Sequence, residues 1–200
     1  MVKIKTLLEN RLSQNKALHA EHGLSFYIEY KNKKILFDCS AGGAFLENAE
    51  KMNVDPKTVD YVVLSHSHYD HAGGYPELVK AGVSVPLYTG PDFWEEKYAS
   101  EDGQYVYLGC GFSSELIQKN GIRQIVCQGQ EQLLEGCYAV GEFEKYVSFE
   151  TVPKRFVKDT ETGMMEDDFA DEICLVLECE KGLVVIVGCS HPFPSLSIKI

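Results

Sequence analysis

Val62-Val63-Leu64-Ser65-His66-Ser67-His68-Tyr69-Asp70-His71-Ala72-Gly73-Gly74 is an apolar strand running straight into three imidazoles and a carboxylate. His66 and His68 stand two apart, so at the end of an extended segment they point the same way and can grip one ion. Asp70 and His71 follow where the chain turns into a helix, and they face a second position beside the first. Neutral imidazole nitrogens with a carboxylate oxygen suit zinc, with manganese and iron as further candidates. Three of the six histidines fall within this one knot, whereas a structural histidine stands alone with a single hydrogen bond. Gly73-Gly74 is expected to let the backbone pass close beneath the ions.

Upstream of the knot, Val59 to Leu64 is a nearly continuous apolar run of the kind buried on both faces of a sheet. A helix from about Ala44 to Met52, with Phe45, Leu46, Ala49 and Met52 on its apolar side, precedes it and stops at Val54-Asp55-Pro56. Before that helix, Phe26-Tyr27-Ile28-Glu29-Tyr30 and Ile35-Leu36-Phe37-Asp38 form a hairpin about the polar turn Lys31 to Lys34. Val2 to Leu8 reads as a half-buried strand, and a polar segment runs from Glu9 to Ala20. Asp38 ends its strand just before Cys39-Ser40-Ala41-Gly42-Gly43. Taken locally, it serves equally well as a cap for the following helix.

Downstream, Tyr75 to Lys80 reads as a short helix and Val83 to Tyr88 as a strand. The pattern then degrades from Gly90 to Gly121, which reads as an insertion with short helices, one over Ser113 to Asn120. Its aromatics Phe93, Trp94, Tyr98, Tyr105 and Tyr107 either floor a substrate pocket or bury the insertion against the body, and burial is the favoured reading. Arg123 to Cys127, Gln130 to Leu134 and Cys137 to Val140 are short strands. Val157 to Glu172 is acidic and irregular, and its Asp167, Asp168, Asp171 and Glu172 read as a solvated loop. Ile173 to Glu178 and Gly182 to Val187 form a hairpin ending in Gly188-Cys189-Ser190-His191. That ending repeats the logic of the knot, a buried strand delivering Cys and His at its tip. His191 is a candidate ligand or a donor behind one, and Cys189 a candidate ligand or a buried thiol beside the site. His22 is a candidate for the cleft, with His19 structural.

Composition bounds the answer. With 44% hydrophobic and 24% charged residues over 200 positions, the chain fits one soluble globular domain, residues 1–200, with apolar mass for a proper core. No run approaches a membrane span and the start lacks the apolar core of a secretory signal. A formal net charge of −11 without a basic cluster argues against nucleic acid as partner. The seven cysteines are scattered and never spaced as C-x-x-C, which fits reduced thiols and a cytoplasmic location.

Glu9-Asn10, Glu21-His22-Gly23-Leu24-Ser25, Leu36-Phe37-Asp38, the H-x-H-x-D-H knot and Gly188-Cys189-Ser190-His191-Pro192 occur in an order that resembles one branch of the metallo-β-lactamase superfamily. The branch is described as metal-dependent hydrolases and includes proteins named for a dihydropterin–ribofuranosylaminobenzene phosphate synthase step. The resemblance implies an α/β fold, a four-layer αββα sandwich. It implies that His66, His68 and His191 hold one ion while Asp70 and His71 begin a second site, and that Asp38 organises ligands from behind. Members of the branch continue for several dozen residues past the Gly-Cys-Ser-His segment, so the second half of the fold is expected to be incomplete, with an exposed sheet edge that invites a homodimer. The chemistry implied is hydrolysis of a small molecule, an ester, phosphoester or pterin-related compound, by a metal-activated hydroxide, with one or two ions per chain and Asp70 as its catalytic carboxylate. No serine sits in a nucleophile elbow to offer a Ser–His–Asp alternative. The rival reading is an inactive remnant, or a subunit completed by another chain.

Overall fold

A computed structural model describes residues 1–143 and 152–191 of the chain. The chain opens with β1 (Val2–Leu8), β2 (Ser25–Tyr30) and β3 (Lys33–Phe37), an antiparallel meander in which Phe26 faces Phe37 and Tyr30 faces Lys33. Helix α1 (Ala44–Lys51) then carries the chain across to β4 (Tyr61–Val63), which lies parallel to β3. Parallel neighbours need such a crossover, and it is why Val62 and Val63 are buried on both faces. After α2 (Tyr69–Ala72) and α3 (Tyr75–Lys80), β5 (Leu87–Thr89) joins in parallel. Past β6 (Glu96–Glu101), β7 (Gln104–Tyr107) and α4 (Ser114–Lys119), β8 (Gln124–Val126) completes a sheet of order β1-β2-β3-β4-β5-β8.

A second, antiparallel sheet has the order β14-β13-β10-β9, built from β9 (Gln130–Leu134), β10 (Cys137–Val140), β13 (Cys174–Cys179) and β14 (Gly182–Ile186). Ile28, Ile35, Phe37 and Val63 of the first sheet pack against Cys137, Ala139, Leu175 and Leu177 of the second, forming one core. On the other side of the first sheet Leu36, Val62 and Leu64 meet Phe45 and Ala49 of α1 and Leu78 of α3, forming another. Asn48 of α1 is buried in that layer without penalty. Its amide donates to the carbonyls of Leu7 and His19 and accepts from the His19 N–H. Helix, sheet and sheet are thus stacked in layers. The outward side of β14 leaves Leu183, Val185 and Val187 exposed.

The insertion differs from expectation. Residues 96–107 form the hairpin β6–β7, which pairs with β11 (Phe156–Thr160) and β12 (Gly163–Glu166) in a third sheet of order β12-β11-β6-β7. The stretch from Val157 lacks the alternation of a half-buried strand, since β11 buries Phe156, Val157 and Lys158 in succession and β12 is exposed throughout, so its sequence alone reads as irregular. Phe93 is buried and Trp94 packs edge-on to Phe112, as burial of the insertion requires. Tyr105 and Tyr107 are exposed and cluster with Tyr98 on the outward face.

The two glycines after the knot are required by close backbone packing. A Cβ on Gly74 would stand 2.0 Å from the Cys39 carbonyl oxygen and 2.4 Å from that of Gly42. The turn out of α2 therefore lies directly on the loop after β3, tied by the Gly74 N–H to the Ser40 carbonyl. Gly74→Ala should lower stability by about 2 kcal/mol or more, because the contact is with rigid backbone. Urea unfolding with an unchanged midpoint would show that the loop can move aside.

Candidate metal centre

Each element of the knot arrives by a separate constraint. β4 delivers Ser65 and His66 at its end, the Asp38 N–H donates to the Val63 carbonyl, and the Cys39 N–H donates to the His71 carbonyl. His68 precedes α2 in an extended conformation, and the first N–H of that helix goes to the Leu108 carbonyl of the insertion. From the far side of the core, the Ile173 N–H at the start of β13 donates to the Ser65 carbonyl. Gly188 lets the tip of β14 close on the same spot, since a Cβ there would stand 2.2 Å from Ser65 Oγ.

Behind the histidines lies one fully buried carboxylate. Asp38 Oδ1 accepts from the Ser65 N–H at 2.7 Å, and Oδ2 accepts from Ser65 Oγ at 2.8 Å and lies 2.6 Å from His71 Nδ1. Ser65 Oγ is also 2.9 Å from His66 Nδ1. With the hydroxyl proton given to Asp38, Ser65 Oγ can only accept from His66, so both His66 and His71 carry their proton on Nδ1. The Nε2 atoms of both rings are thereby turned toward the cleft. Asp38 is bonded to Ser65 and His71 and caps no helix: α1 is preceded by Gly43 and has no side-chain cap.

The Nε2 atoms of His66, His68 and His191 are buried, and none has a hydrogen-bond partner. They lie within 4.8 Å of one another. Burial drives these imidazoles to the neutral form. His66 is held well below its ordinary value by desolvation and by the neighbouring histidines, His68 falls to about 3 and His191 to about 4 for the same leading reason. Three neutral, oriented, orphaned nitrogens converging on one point fit a divalent cation. Phe169 stacks on His191 with ring centroids 4.2 Å apart, and Phe156 lies against both His68 and His191.

A second grouping sits beside the first. His71 Nε2 is 3.0 Å from Cys189 Sγ and 3.4 Å from Asp70 Oδ2, and Asp70 Oδ2 is 3.2 Å from His22 Nε2. Burial works against ionisation of Asp70, but the hydrogen bond and charge of His71, with His22 and His68, hold its carboxyl below the usual range. His71 is likewise opposed by burial yet raised well above its ordinary value, chiefly by Asp38. Cys189 is exposed rather than a buried thiol. Asp70, His71, His22 and Cys189 line a cleft of about 310 Å³ with Asn10 and Arg11. His19 lies apart from it, paired with Glu47.

The acidic segment is the largest departure from expectation. Asp167, Asp171 and Glu172 are buried, not solvated. Asp171 Oδ2 accepts from the Ser67 N–H at 2.8 Å, Glu172 Oε2 accepts from the His191 N–H at 2.9 Å, and Lys97 Nζ, itself buried, donates to both Asp167 and Asp171. Burial pushes Glu172 up to about 8, with the Asp171 charge adding to it. No local signal revealed this, because the partner lysine lies on β6 far away in sequence.

Known proteins resemble this chain along most of its length. The model of the metallo-beta-lactamase superfamily matches residues 20–169. A 7,8-dihydropterin-6-methyl-4-(beta-D-ribofuranosyl)-aminobenzene-5'-phosphate synthase of Methanocaldococcus jannaschii is 33% identical over 202 aligned residues, covering 96% of this chain and 68% of that protein. A metal-dependent hydrolase of Staphylococcus aureus is 42% identical over 68 residues, 32% of this chain and 28% of its own. The crystal structure of a metal-dependent hydrolase of the beta-lactamase superfamily superposes with a TM-score of 0.78 at 25% identity, covering 96% of this chain and 67% of that one. The chain belongs to the metallo-beta-lactamase superfamily. Membership implies an α/β fold of that type and a divalent metal site. No helix among the described residues is long and apolar enough to cross a membrane.

The buried imidazoles set a pH dependence for the metal-free chain. On unfolding each takes a proton near its ordinary value of 6.5, while the folded chain resists until about 3 for His68 and about 4 for His191. Their contribution is complete above pH 6.5 and is lost as pH falls below it. His71 has the opposite sign: its contribution is complete below its ordinary value and is lost only as pH rises through its raised folded value. It therefore offers no further compensation on acidification. Glu172 acts against the neutral histidines, because its carboxyl takes a proton near 8 in the folded chain and only near its ordinary 4.5 in the unfolded one. With three neutral histidines against that one carboxyl, stability of chelator-treated protein should still fall between about pH 6.5 and 4.5, by up to about 1.4 kcal/mol per pH unit for each histidine that Glu172 does not offset. A flat profile in denaturant titrations across that window would contradict the neutral, buried assignment.

Proposed function

We propose that the chain is a metal-dependent hydrolase of a small ester or phosphoester, with His66, His68 and His191 holding one ion. The observation that carries this reading is the convergence of three buried Nε2 atoms without partners. His71, Cys189 and Asp70 are the donors for a second ion. His66 cannot serve both positions, because its Nδ1 is committed to Ser65 and it has one free nitrogen. A nitrogen set with a cysteine sulfur beside it favours zinc over manganese or iron.

When bound, such an ion polarises a carbonyl or phosphoryl oxygen and makes water acidic enough to attack near neutral pH. The chain's own part is positional. Asp38, through Ser65 and directly, holds two imidazoles in the tautomer that leaves Nε2 open. Asp70, kept ionised, orients a water at the rim of the cleft by accepting its hydrogen bond. Arg11 lines that cleft and supplies a cation for an anionic group, which favours phosphoesters among the ester classes. The pterin-phosphate relative is consistent with a phosphate-bearing substrate, and the particular compound is a proposal of the same kind.

Purified protein should take up zinc that a chelator removes, and His66→Ala or His68→Ala should abolish uptake at the tighter position. Unchanged stoichiometry in both variants would overturn the ligand assignment. Asp70→Asn should reduce turnover of an activated phosphodiester by about 10²-fold or more. Arg11→Gln should raise KM for that substrate and leave a neutral carboxylic ester unaffected. A zinc-loaded chain that hydrolyses neither substrate would point to the binding-only remnant instead.

A further inference from the structure

Lys97 is the most deeply buried cation among the described residues, 1% exposed, and it comes from the inserted hairpin rather than from either main sheet. Its ammonium donates to Asp171 Oδ1 at 2.8 Å and to Asp167 Oδ1 at 2.9 Å, and lies 5.0 Å from the centre of the Phe169 ring. Both ends of this cluster touch the histidines. Asp171 uses its other oxygen to hold the N–H of Ser67, the residue between His66 and His68, and Phe169 stacks on His191. The backbone of Lys97 adds a second connection, because its carbonyl accepts from the Leu108 N–H while the Leu108 carbonyl accepts from the N–H of Tyr69, next to His68.

Burying one cation with two carboxylates is costly unless the geometry is well satisfied, and such groups are poor sources of net stability. Here the arrangement grips all three members of the nitrogen cluster from one point. We propose that Lys97 is a positioning residue for the metal centre, clamping Asp171 and Phe169 so that the three Nε2 atoms keep the separation that binds an ion. The inference rests on the metal reading given above, but it concerns residues outside the ligand set.

The sign of the effect separates this role from plain electrostatics. A lysine near a cation site repels the ion, so removing its charge would by Coulomb's law tighten binding; loss of a clamp would weaken it. The test is the zinc dissociation constant of the full chain, measured by competition with a chromophoric chelator, in wild type, Lys97→Met and Lys97→Met/Asp167→Asn. The double variant keeps the net charge of the buried cluster unchanged and protects folding from an extra uncompensated carboxylate. Both variants should bind zinc at least tenfold more weakly, with an altered visible spectrum when cobalt replaces zinc. Lys158→Met is the control. It empties a neighbouring ion cluster with Glu95 and Asp168, none of which bonds to the histidines or to Ser67 among the described residues, and its zinc affinity should stay within twofold of wild type. Unchanged or tighter binding in the Lys97 variants, or equal weakening in the Lys158 variant, would overturn the proposal. Failure of the underlying metal reading shows differently, as a wild-type chain that takes up no zinc.

Discussion

The buried carboxylate of Asp38 is the interaction on which the rest of the centre depends. An isolated ionised carboxylate taken out of water costs several kcal/mol even after relaxation, and Asp38 has no exposure at all. It is sustained there by the Ser65 N–H, the Ser65 hydroxyl and His71 Nδ1. Each of these donors is also a part of the site. The same contacts therefore also engage Nδ1 of both His66 and His71 and turn their Nε2 atoms outward. The backbone bends to achieve it: Asp38 and Ser40 both occupy the left-handed region, with φ of 58° and 56°. Such a conformation is disfavoured for residues other than glycine and persists where its surroundings over-determine it.

Two kinds of donor surround the site, and they divide the chemistry. The inner three histidines are held neutral, turn buried Nε2 atoms to one another and are backed by Phe156 and Phe169. The outer group of His71, Cys189, Asp70 and His22 faces the open cleft. A buried nitrogen cage suits tight retention of a cation, whereas donors at a rim suit exchange with incoming groups. The same contrast explains why the two carboxylates of the centre behave differently. Asp38 is enclosed by the Ser65 N–H, the Ser65 hydroxyl and His71, while Asp70 stands at the cleft between His71 and His22.

Much of this was readable from residues alone, for a physical reason. The knot, the β2–β3 hairpin and the tip carrying Cys189 and His191 are local features, where strand periodicity and chain direction decide what a side chain faces. What stayed hidden depends on distant partners. Asp167, Asp171 and Glu172 have the composition of a solvated loop, and only Lys97 and the backbone of Ser67 and His191 make their burial possible. β6 was missed for the reciprocal reason, since its inward face presents Lys97 where an apolar residue is expected. Asp38 looked equally like a cap until Gly43 was found ahead of the helix and Ser65 above the carboxylate.

The spacing of the contributors along the chain orders their assembly during synthesis. Asp38, Ser65, His66 and His71 lie within one short segment, so the relay that orients two imidazoles can form as soon as β3, α1 and β4 have left the ribosome. The third nitrogen and the carboxylate that pins Ser67 come from residues 191 and 171, more than a hundred positions later. A nascent chain therefore exposes a half-built chelate, open on the side that β13, β14 and Phe169 will cover. An ion captured at that stage would be held by two imidazoles and solvent, free to leave until the late strands close over it.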